Sequence, residues 1–254
     1  MSQPIFPGFW RSLLASYCRI DHRSPCRSKS RRRRALHACR KDVGLLSELL
    51  EDRVVLATFV VNSVFDTIDA NPGDGLALDA TGNTTLRAAV MEANALAGDD
   101  IIELPAGTFP LTIAGADDNL AATGDLDITD STGSLAIIGA GNETIIDASG
   151  LGDRVFHAVN SSVDAAFQGV VITGGTVTGP GGGIYFNGSE LTIIDSTLTE
   201  NHASGSGGAL HATRGTITVT RSSLSSNQRL PSDTQAITPS SPLAFDEDQR
   251  WSRL

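Results

Sequence analysis

The chain has 254 residues, of which 26 are glycine and only 5% are aromatic, and this mixture suits thin stacked coils better than a core filled by large rings. Residues 1–53 carry twelve Lys and Arg against five Asp and Glu, whereas residues 54–254 carry seven Arg, no Lys and 24 Asp and Glu. An acidic body repels phosphates, so the sequence argues against nucleic-acid binding. No stretch approaches the roughly 18 apolar residues of a membrane-spanning helix, and no cysteine lies in the body to form a disulfide there.

The basic N-terminus divides into two segments. Residues 1–42 are rich in Arg and Ser and include the run Arg31–Arg34, so we predict a disordered head that takes no part in the fold. Residues 43–57 are amphipathic, follow the positive charges and end in small residues that resemble a cleavage site, which predicts an export segment. Three acidic residues interrupt its apolar stretch, so it departs from a standard secretory signal, and a short helix packed on the body is the alternative.

The body opens with a predicted strand at residues 58–62, and a polar, glycine-rich loop follows from Asp66 to Gly82. A helix comes next, for which Thr84 or Thr85 is the expected N-cap and Gly98 the expected end. Its apolar side chains recur with helical spacing on one face, at Leu86, Ala89, Val90, Ala93 and Ala97. We expect this helix to cover the apolar first coil of the strands that follow.

The loop before the helix is the one candidate metal site that we draw from the sequence. Hard cations such as calcium prefer oxygen ligands, and five oxygen-bearing side chains crowd the loop: Asp66, Asp69, Asn71, Asp74 and Asp79. Their spacing does not match the EF-hand type of calcium loop. The alternative is that these side chains accept hydrogen bonds from their own backbone in Asx turns. We expect no other cofactor.

From Ile101 onward the sequence predicts short strands separated by turns, at IIELPAG, TFPLTI, GDLDIT, SLAIIGAG, ETIIDAS and RVFHAV. A repeat of 26 residues then runs from Asp164 to Asn227. It places like residues in register, in the sets Phe167, Ile193 and Val219; Ile172, Leu198 and Leu224; Gly181-Gly182 and Gly207-Gly208; and Asn201 and Asn227. A fixed period of this length without helical spacing predicts stacked coils of strands, with apolar columns inside and an asparagine ladder at a turn.

Three stretches resemble known families. Residues 50–56, LEDRVVL, resemble the LEPR-XLL motif of planctomycete surface and secreted proteins, with Asp52 at the usual proline. The stretch FVVNSVFDTIDANPGDG…TTLRAAVMEANALAGDDIIEL resembles the CSLREA domain, which precedes right-handed β-helices in bacterial surface proteins, although Thr84 replaces its cysteine and Ala88 its glutamate. The coils resemble the pectin-lyase-like superfamily and the repeats of polymorphic outer membrane proteins, through Gly207-Gly208-Ala209-Leu210 and the phrases ending in Asn201 and Asn227. The resemblance implies a right-handed parallel β-helix.

We therefore predict an all-β, single-stranded parallel β-helix with one N-terminal capping helix, in which each coil has the length of the repeat. Its expected divisions are a basic head at 1–42, a targeting segment at 43–57, a cap at 58–104, the β-helix at 105–228 and an irregular tail at 229–254. The repeat stops after Asn227, and the tail has three prolines and no glycine. A truncated or frame-shifted gene is one hypothesis for this change, and a tail that folds over the last coil is another.

The resemblance to pectin-lyase-like proteins raises the possibility of a polysaccharide lyase or glycoside hydrolase. A lyase needs a base, with calcium held by acidic residues, and a hydrolase needs two or three converging carboxylates. Arg154 beside Asp153 is interpreted as a surface ion pair. Asp195 and Glu200 are the candidate carboxylates, but Asp164, Glu190 and Asp195 are expected at different points of the coil and not in one column. The histidines are spread over the coils, at His157, His202 and His211, and are interpreted as surface or turn residues. We assign no catalytic residue.

The sequence thus favours a noncatalytic bacterial protein, exported to the cell surface or outer membrane, that is structural, adhesive or in contact with carbohydrate or another surface protein. Its outward threonines and serines, Thr192, Thr199, Thr218 and Ser222, are the expected contact face. A carbohydrate-active enzyme is the alternative, and a nonfunctional fragment of a larger surface protein is the third possibility. Three or more acids and an arginine converging in one cleft would favour the enzyme.

Overall fold

A computed structural model of the chain describes residues 56–115 and 118–230, together with the backbone of residues 244–245. The predicted disordered head, most of the predicted targeting segment and nearly all of the predicted tail lie outside the described residues. Within the described part of the chain, no helix has the length and hydrophobicity to span a lipid bilayer.

The described residues form one helix and many short strands. The helix, α1, is Leu86–Ala95. The first nine strands are β1 (Ala57–Val60), β2 (Asp100–Glu103), β3 (Gly107–Pro110), β4 (Leu126–Ile128), β5 (Ser134–Ile138), β6 (Thr144–Asp147), β7 (Phe156–Ala158), β8 (Asp164–Gln168) and β9 (Val171–Thr173). The others are β10 (Thr176–Val177), β11 (Ile184–Phe186), β12 (Glu190–Ile194), β13 (Thr197–Thr199), β14 (His202–Ala203), β15 (Leu210–Ala212), β16 (Thr216–Thr220), β17 (Ser223–Ser225), β18 (Gln228–Arg229) and β19 (Ala244–Phe245).

The strands stack into parallel sheets because each coil adds one strand to each sheet. The sheets have the orders β1-β2-β5-β8-β12-β16, β3-β6-β9-β13-β17, β4-β7-β11-β15-β19 and β10-β14-β18. Pairing is parallel throughout, apart from the antiparallel pair of β15 and β19. The molecule is thus a parallel β-solenoid of about four turns, which confirms the predicted fold class. The right hand of the coil stays a prediction.

The period seen in the sequence holds only for the last coils. Asp164 of β8 pairs with Glu190 of β12, and Glu190 pairs with Thr216 of β16, so each step follows the repeat. Ser134 of β5, in contrast, pairs with Asp164 across a longer stretch of chain, and the pairing of Asp100 with Leu135 spans a longer stretch still. The earlier coils are longer because loops are inserted between their strands, and these loops border the cleft described below.

The predicted apolar column is present inside the coil. Ile172 of β9 pairs with Leu198 of β13, and Leu198 pairs with Leu224 of β17. Ile172 and Leu198 are fully buried, and Leu224 is half-buried because it lies on the last described coil. Val219, of the predicted column that also contains Phe167 and Ile193, is 43% exposed for the same reason. Stacking of like residues therefore supplies most of the apolar burial that holds the coils together.

Helix α1 covers the N-terminal end of the solenoid. Its N-cap is Thr85, one of the two residues predicted for this role. The Thr85 side chain accepts a hydrogen bond from the backbone N–H of Ala88. The helix ends earlier than predicted, with Leu96 as its C-cap, so Ala97 lies beyond it and is exposed. Gly98 follows with φ +118°, in the left-handed region that glycine accommodates.

A buried ion pair fixes the helix to the solenoid. Nε of Arg87 lies 2.6 Å from Oδ1 of Asp66, and both side chains are almost completely buried. The Arg87 guanidinium also donates to the backbone carbonyls of Ala121 and Gly124, and the Asp66 carboxylate accepts from two backbone N–H groups, those of Thr112 and Ile113. These contacts connect three segments that are distant in sequence.

The paired glycines of the repeat occupy tight bends. Gly181 and Gly207 have φ values of +74° and +71°. A β-carbon on Gly207 would lie 2.2 Å from the carbonyl oxygen of Leu210. Only glycine fits this combination of backbone angle and close approach, so the repeated glycine marks the same bend in successive coils.

Candidate active site

One row of polar side chains crosses the sheet of β4, β7, β11 and β15. Asp127 pairs with His157, His157 with Tyr185, and Tyr185 with His211, so one residue from each coil takes the same register position. On each strand the residues just before and after this position are buried in the core, for example Phe156 before His157 and Ile184 before Tyr185. Because side chains alternate along a strand, the row lies on the outer face of the sheet.

A cleft of about 320 Å³ opens over the first half of this row. Its volume falls in the range of small-molecule sites. Gly152, Val177 and Thr178 contribute to its walls, and the described polar side chains that line it are Asp118, Asn119, Asp125, Asp127, Asp153, Arg154 and His157. The acidic side chains come from the segment that includes β4 and from the turn before β7.

Arg154 lies between two of the carboxylates. Its Nε is 3.5 Å from Oδ2 of Asp125 and 3.9 Å from Oδ1 of Asp153. Its guanidinium carbon lies 5.2 Å from the ring centroid of Tyr185, a distance typical of a cation–π contact. The Arg154 side chain is 17% exposed. The predicted ion pair with Asp153 is present, but it is not at the surface, because this arginine is mostly buried and also contacts a carboxylate of the preceding coil.

The Asp125 carboxyl is the most perturbed acid of the cleft. Burial, together with the negative charges of Asp127 and Asp153, raises its pKa to about 8 against the lowering effect of Arg154. A carboxyl group with this pKa keeps its proton near neutral pH. It can therefore donate a proton to a bound molecule while a neighbouring carboxyl group is ionised.

Asp127 is buried with one oxygen unsatisfied. Its Oδ2 accepts a hydrogen bond of 3.2 Å from the backbone N–H of Ala121. Its Oδ1 lies 3.0 Å from Nδ1 of His157. The two atoms form an ion pair when the imidazole is protonated, but no hydrogen bond joins them, so Oδ1 has no hydrogen-bond partner among the described residues. A buried acceptor in this state favours a ligand that brings a proton or a positive charge.

The same place offers a possible cation site. One ligand atom from each of Asp125, Asp127 and His157 lies within 4.8 Å of the other two, and no larger or second group of this kind occurs among the described residues. Carboxylate oxygen and imidazole nitrogen are ligands of several divalent metals. The interpretation of His157 as an isolated surface residue is thus wrong, because it belongs to a strand and faces two carboxylates.

The two aromatic members of the row lie beside the cleft. The rings of Tyr185 and His211 stack with centroids 5.4 Å apart, and the ring of His157 meets Tyr185 edge-on at 5.2 Å. Burial and the nearby charge of Arg154 lower the pKa of His211, so its imidazole is neutral at neutral pH. His211 is therefore a buried strand residue, and not the surface or turn residue that the sequence suggested.

The predicted calcium loop lies elsewhere, and most of its carboxylates already have protein partners, although Oδ2 of Asp69 has no hydrogen-bond partner among the described residues. Asp66 binds Arg87, and Asp79 accepts hydrogen bonds from Asn83 and Thr81 that lower its pKa. Two contacts follow Asx-turn geometry, from the backbone N–H of Asn71 to Asp69 and from the backbone N–H of Leu76 to Asp74, and the side-chain amide of Asn71 donates to Asp74. These contacts support the alternative of a self-bonded loop, and calcium binding here stays a prediction.

The acids weighed in the sequence as hydrolase candidates do not line the cleft. The expectation that Asp164 and Glu190 lie at different points of the coil is wrong, because they pair directly on β8 and β12, but this column is away from the cleft. Asp195 is exposed and pairs with Arg221 on the edge between β12 and β13, and Glu200 is an exposed residue with φ +55°. Asp125 and Asp127 were missed because the coil that contains them is longer than the repeat. Aligning the sequence by the repeat therefore does not place them beside His157 and Tyr185. The alternation of aspartate and leucine in GDLDIT was the available signal for outward acids on a strand.

Comparisons with protein-family models, with curated proteins and with solved structures give no match to this chain.

Proposed function

We propose that the cleft is the active site of a carbohydrate-active enzyme that hydrolyses glycosidic bonds. The observation that carries the proposal is the convergence of three carboxyl groups, Asp125, Asp127 and Asp153, and one guanidinium on the outer face of the solenoid. Glycoside hydrolysis needs one protonated and one ionised carboxyl group on either side of the scissile bond. A long parallel stack of strands also offers a surface along which a polymer can lie.

The proposed roles follow from burial and contacts. Asp125, held protonated by its surroundings, donates its proton to the glycosidic oxygen as the bond to the anomeric carbon breaks. Asp153, beside the guanidinium of Arg154, accepts a proton from the water whose oxygen attacks the anomeric carbon. Asp127 lines the cleft but takes no part in these proton transfers, and in the reaction it acts through its negative charge on Asp125 and its contact with His157.

The test is the release of reducing ends from a panel of neutral, acidic and amino polysaccharides by the purified chain. We expect Asp125→Asn and Asp153→Asn to lower the rate by about 100-fold or more, as loss of a general acid or base does. Glu190→Gln, which removes one exposed carboxylate on β12, is the matched control and should keep the full rate. Absence of reducing ends from every polysaccharide with correctly folded protein would refute the proposal.

The same assay separates hydrolysis from elimination. A lyase would produce unsaturated sugars from polyuronates in the presence of calcium, and these absorb in the ultraviolet. The cleft carries more negative than positive groups among its described residues, which disfavours a polyuronate. We therefore expect saturated products. Unsaturated products that need calcium would assign the cleft to a lyase instead.

A noncatalytic glycan-contacting surface is a second candidate. On the six-stranded sheet, Ala136, Ala166, Thr192 and Thr218 take the same outward register position in four successive coils. Such a smooth row of small residues fits the predicted contact face for carbohydrate or a surface protein. Export to the cell surface belongs to both proposals, and its support is the Arg-rich head and the small residues at 55–57. Glycan binding that survives Asp125→Asn and is lost with Thr218→Arg would favour this candidate.

A further inference from the structure

We propose that the preferred ligand of the cleft is a cationic amino glycan, whose sugars carry protonated primary amines. This inference rests on the proposed function of the cleft as a glycan site. Neutral glycans and polyuronates then bind less well to the same cleft. The proposal rests on the charges that line the cleft and on one buried carboxylate oxygen, Oδ1 of Asp127, that accepts no hydrogen bond among the described residues.

The charge balance of the cleft favours a cation. Four described acidic side chains line it, those of Asp118, Asp125, Asp127 and Asp153, and even with Asp125 protonated they outnumber the single permanent positive charge of Arg154. Arg154 lies beside Asp125, Asp153 and the Tyr185 ring, and although its Nε has no hydrogen-bond partner among the described residues, its single charge is outnumbered by the carboxylates around it. A sugar carboxylate would meet like charges at short range, which costs binding energy.

Asp127 adds a specific position for the amine. Its side chain is 1% exposed, it lines the cleft, and its Oδ1 has no hydrogen-bond partner among the described residues. A neutral hydroxyl can donate only one hydrogen bond, whereas an ammonium group brings three donors and a full charge. Because charge-assisted hydrogen bonds are about twice as strong as neutral ones, an amine satisfies this oxygen better than a hydroxyl does.

A divalent cation is the competing occupant of the same atoms, because Asp125, Asp127 and His157 lie close enough together to share one ion. With a metal in place, the cleft would attract carboxylates and repel amines. The two occupants therefore predict opposite ligand preferences, and protein stripped of metal with EDTA separates them.

The experiment measures binding of three oligosaccharides of equal length to the whole metal-free chain by calorimetry, at about pH 6, where primary amines are protonated. The probes are a glucosamine oligomer, its N-acetylated form and a galacturonic acid oligomer. We expect the glucosamine oligomer to bind at least about tenfold more tightly than the acetylated form, and the galacturonic acid oligomer to bind most weakly. Equal affinity for the two glucosamine forms would overturn the inference, as would binding that requires an added divalent metal.

Variants test whether the cleft itself causes the preference. Thr178→Lys places a positive charge on the exposed wall of the cleft and should bring the affinities for the glucosamine oligomer and its acetylated form close together. Thr216→Lys, an exposed position on β16, is the matched control and should keep the preference. An oligolysine peptide of equal charge should bind more weakly than the glucosamine oligomer. Equal binding would show general charge attraction and overturn the inference.

The outcomes separate this inference from the proposed function. If the acetylated oligomer is hydrolysed as fast as the glucosamine oligomer, the amine preference fails while the hydrolase proposal stands. If the glucosamine oligomer binds tightly but Asp125→Asn and wild type release reducing ends equally slowly, the hydrolase proposal fails and the ligand class stands. Failure of every glycan to bind contradicts both.

Discussion

The side-chain amide of Asn201 donates a hydrogen bond to the side-chain oxygen of Asn227, 3.1 Å away and one coil further along the solenoid. Both side chains are buried. The Asn201 amide also donates to the carbonyl of Ile172, and its oxygen accepts from the backbone N–H of Gly175 in the preceding coil. One side chain thus satisfies buried backbone groups of the preceding coil and bonds the equivalent asparagine of the next, which confirms the ladder predicted from the repeat.

Replacing Asn201 with alanine should therefore destabilise the solenoid. The substitution removes the side-chain partners of the Ile172 carbonyl and the Gly175 N–H and the side-chain bond to Asn227, and we expect it to lower the free energy of unfolding by about 2–3 kcal/mol. Urea denaturation followed by circular dichroism is the measurement. Thr218→Ala, at an exposed position of β16, is the control and should change stability by less than about 0.5 kcal/mol. Equal effects of the two substitutions would show that the ladder adds nothing.

Two arginine–aspartate pairs with the same Nε–Oδ1 distance should differ widely in their contribution to stability. Nε lies 2.6 Å from Oδ1 in both, yet the Arg87–Asp66 pair is buried and the Arg221–Asp195 pair is exposed. Arg87→Met leaves a buried carboxylate and two backbone carbonyls without their charged partner, and we expect a loss of about 3–5 kcal/mol. Arg221→Met should give no measurable loss, because water and salt replace the partner.

Urea denaturation at low and high salt checks the comparison. The loss from Arg87→Met should persist at high salt because buried pairs are screened little. A loss that disappears at high salt would show that water reaches the pair, and a large loss from Arg221→Met would contradict the argument from exposure.

The sequence predicted the solenoid because its evidence is repeated. The apolar column through Ile172 and Leu198, the glycine bends and the asparagine ladder each recur with the same period, so several weak signals agreed on one register. The helix was predicted, with Thr84 or Thr85 as its cap, for a different reason, since capping and helical spacing are local properties. Only the end of the helix was wrong: Gly98 was expected to terminate it, whereas the helix ends at Ala95.

The cleft could not be predicted in the same way, because it lies where the repeat is irregular. The step along the chain from Asp127 to His157 is longer than the step from His157 to Tyr185, so no fixed period aligns the three. Their meeting depends on the lengths of the inserted loops, which spacing alone does not reveal. Arg154 shows the same limit, since its neighbour Asp153 is visible in the sequence but its contacts with Asp125 and Tyr185 are not.

Stability should fall as pH rises through the weakly acidic range, because of Asp100. This side chain is buried, and desolvation raises its pKa from 3.8 to about 6. Between these two values the unfolded state releases the proton while the folded state retains it, so raising the pH favours the unfolded state. The contribution is largest below the unfolded pKa and is lost as pH rises to about 6.

Asp100→Asn removes this titration and tests it directly. We expect the variant to show a flatter dependence of unfolding free energy on pH between about 4 and 6 than the wild type. At neutral pH the variant should be the more stable protein, because it avoids burying a charge. Glu103→Gln, an exposed acid of the same strand, is the control and should follow the wild-type curve. A wild-type curve that rises over this range would contradict the assignment.

The rate of glycan hydrolysis should fall as pH rises above about 8, because the proposed acid Asp125 then loses its proton. The rate falls with rising pH because a general acid acts only while protonated, and the raised pKa keeps Asp125 protonated through neutral pH. Asp127→Asn removes a neighbouring negative charge that helps to raise this pKa. We therefore expect the alkaline limb of the pH–rate profile to move to lower pH in Asp127→Asn, with the limb of Glu190→Gln unchanged.

This shift distinguishes an electrostatic role of Asp127 from a purely structural one. A structural role would lower the rate at every pH and leave the midpoint of the limb in place, whereas loss of the neighbouring charge moves the midpoint. The profile of kcat/KM should be used, since it reports the ionisation of the free enzyme. An alkaline limb that stays in place in Asp127→Asn would remove the electrostatic role, and a wild-type rate that rises above about pH 8 would remove Asp125 as the acid.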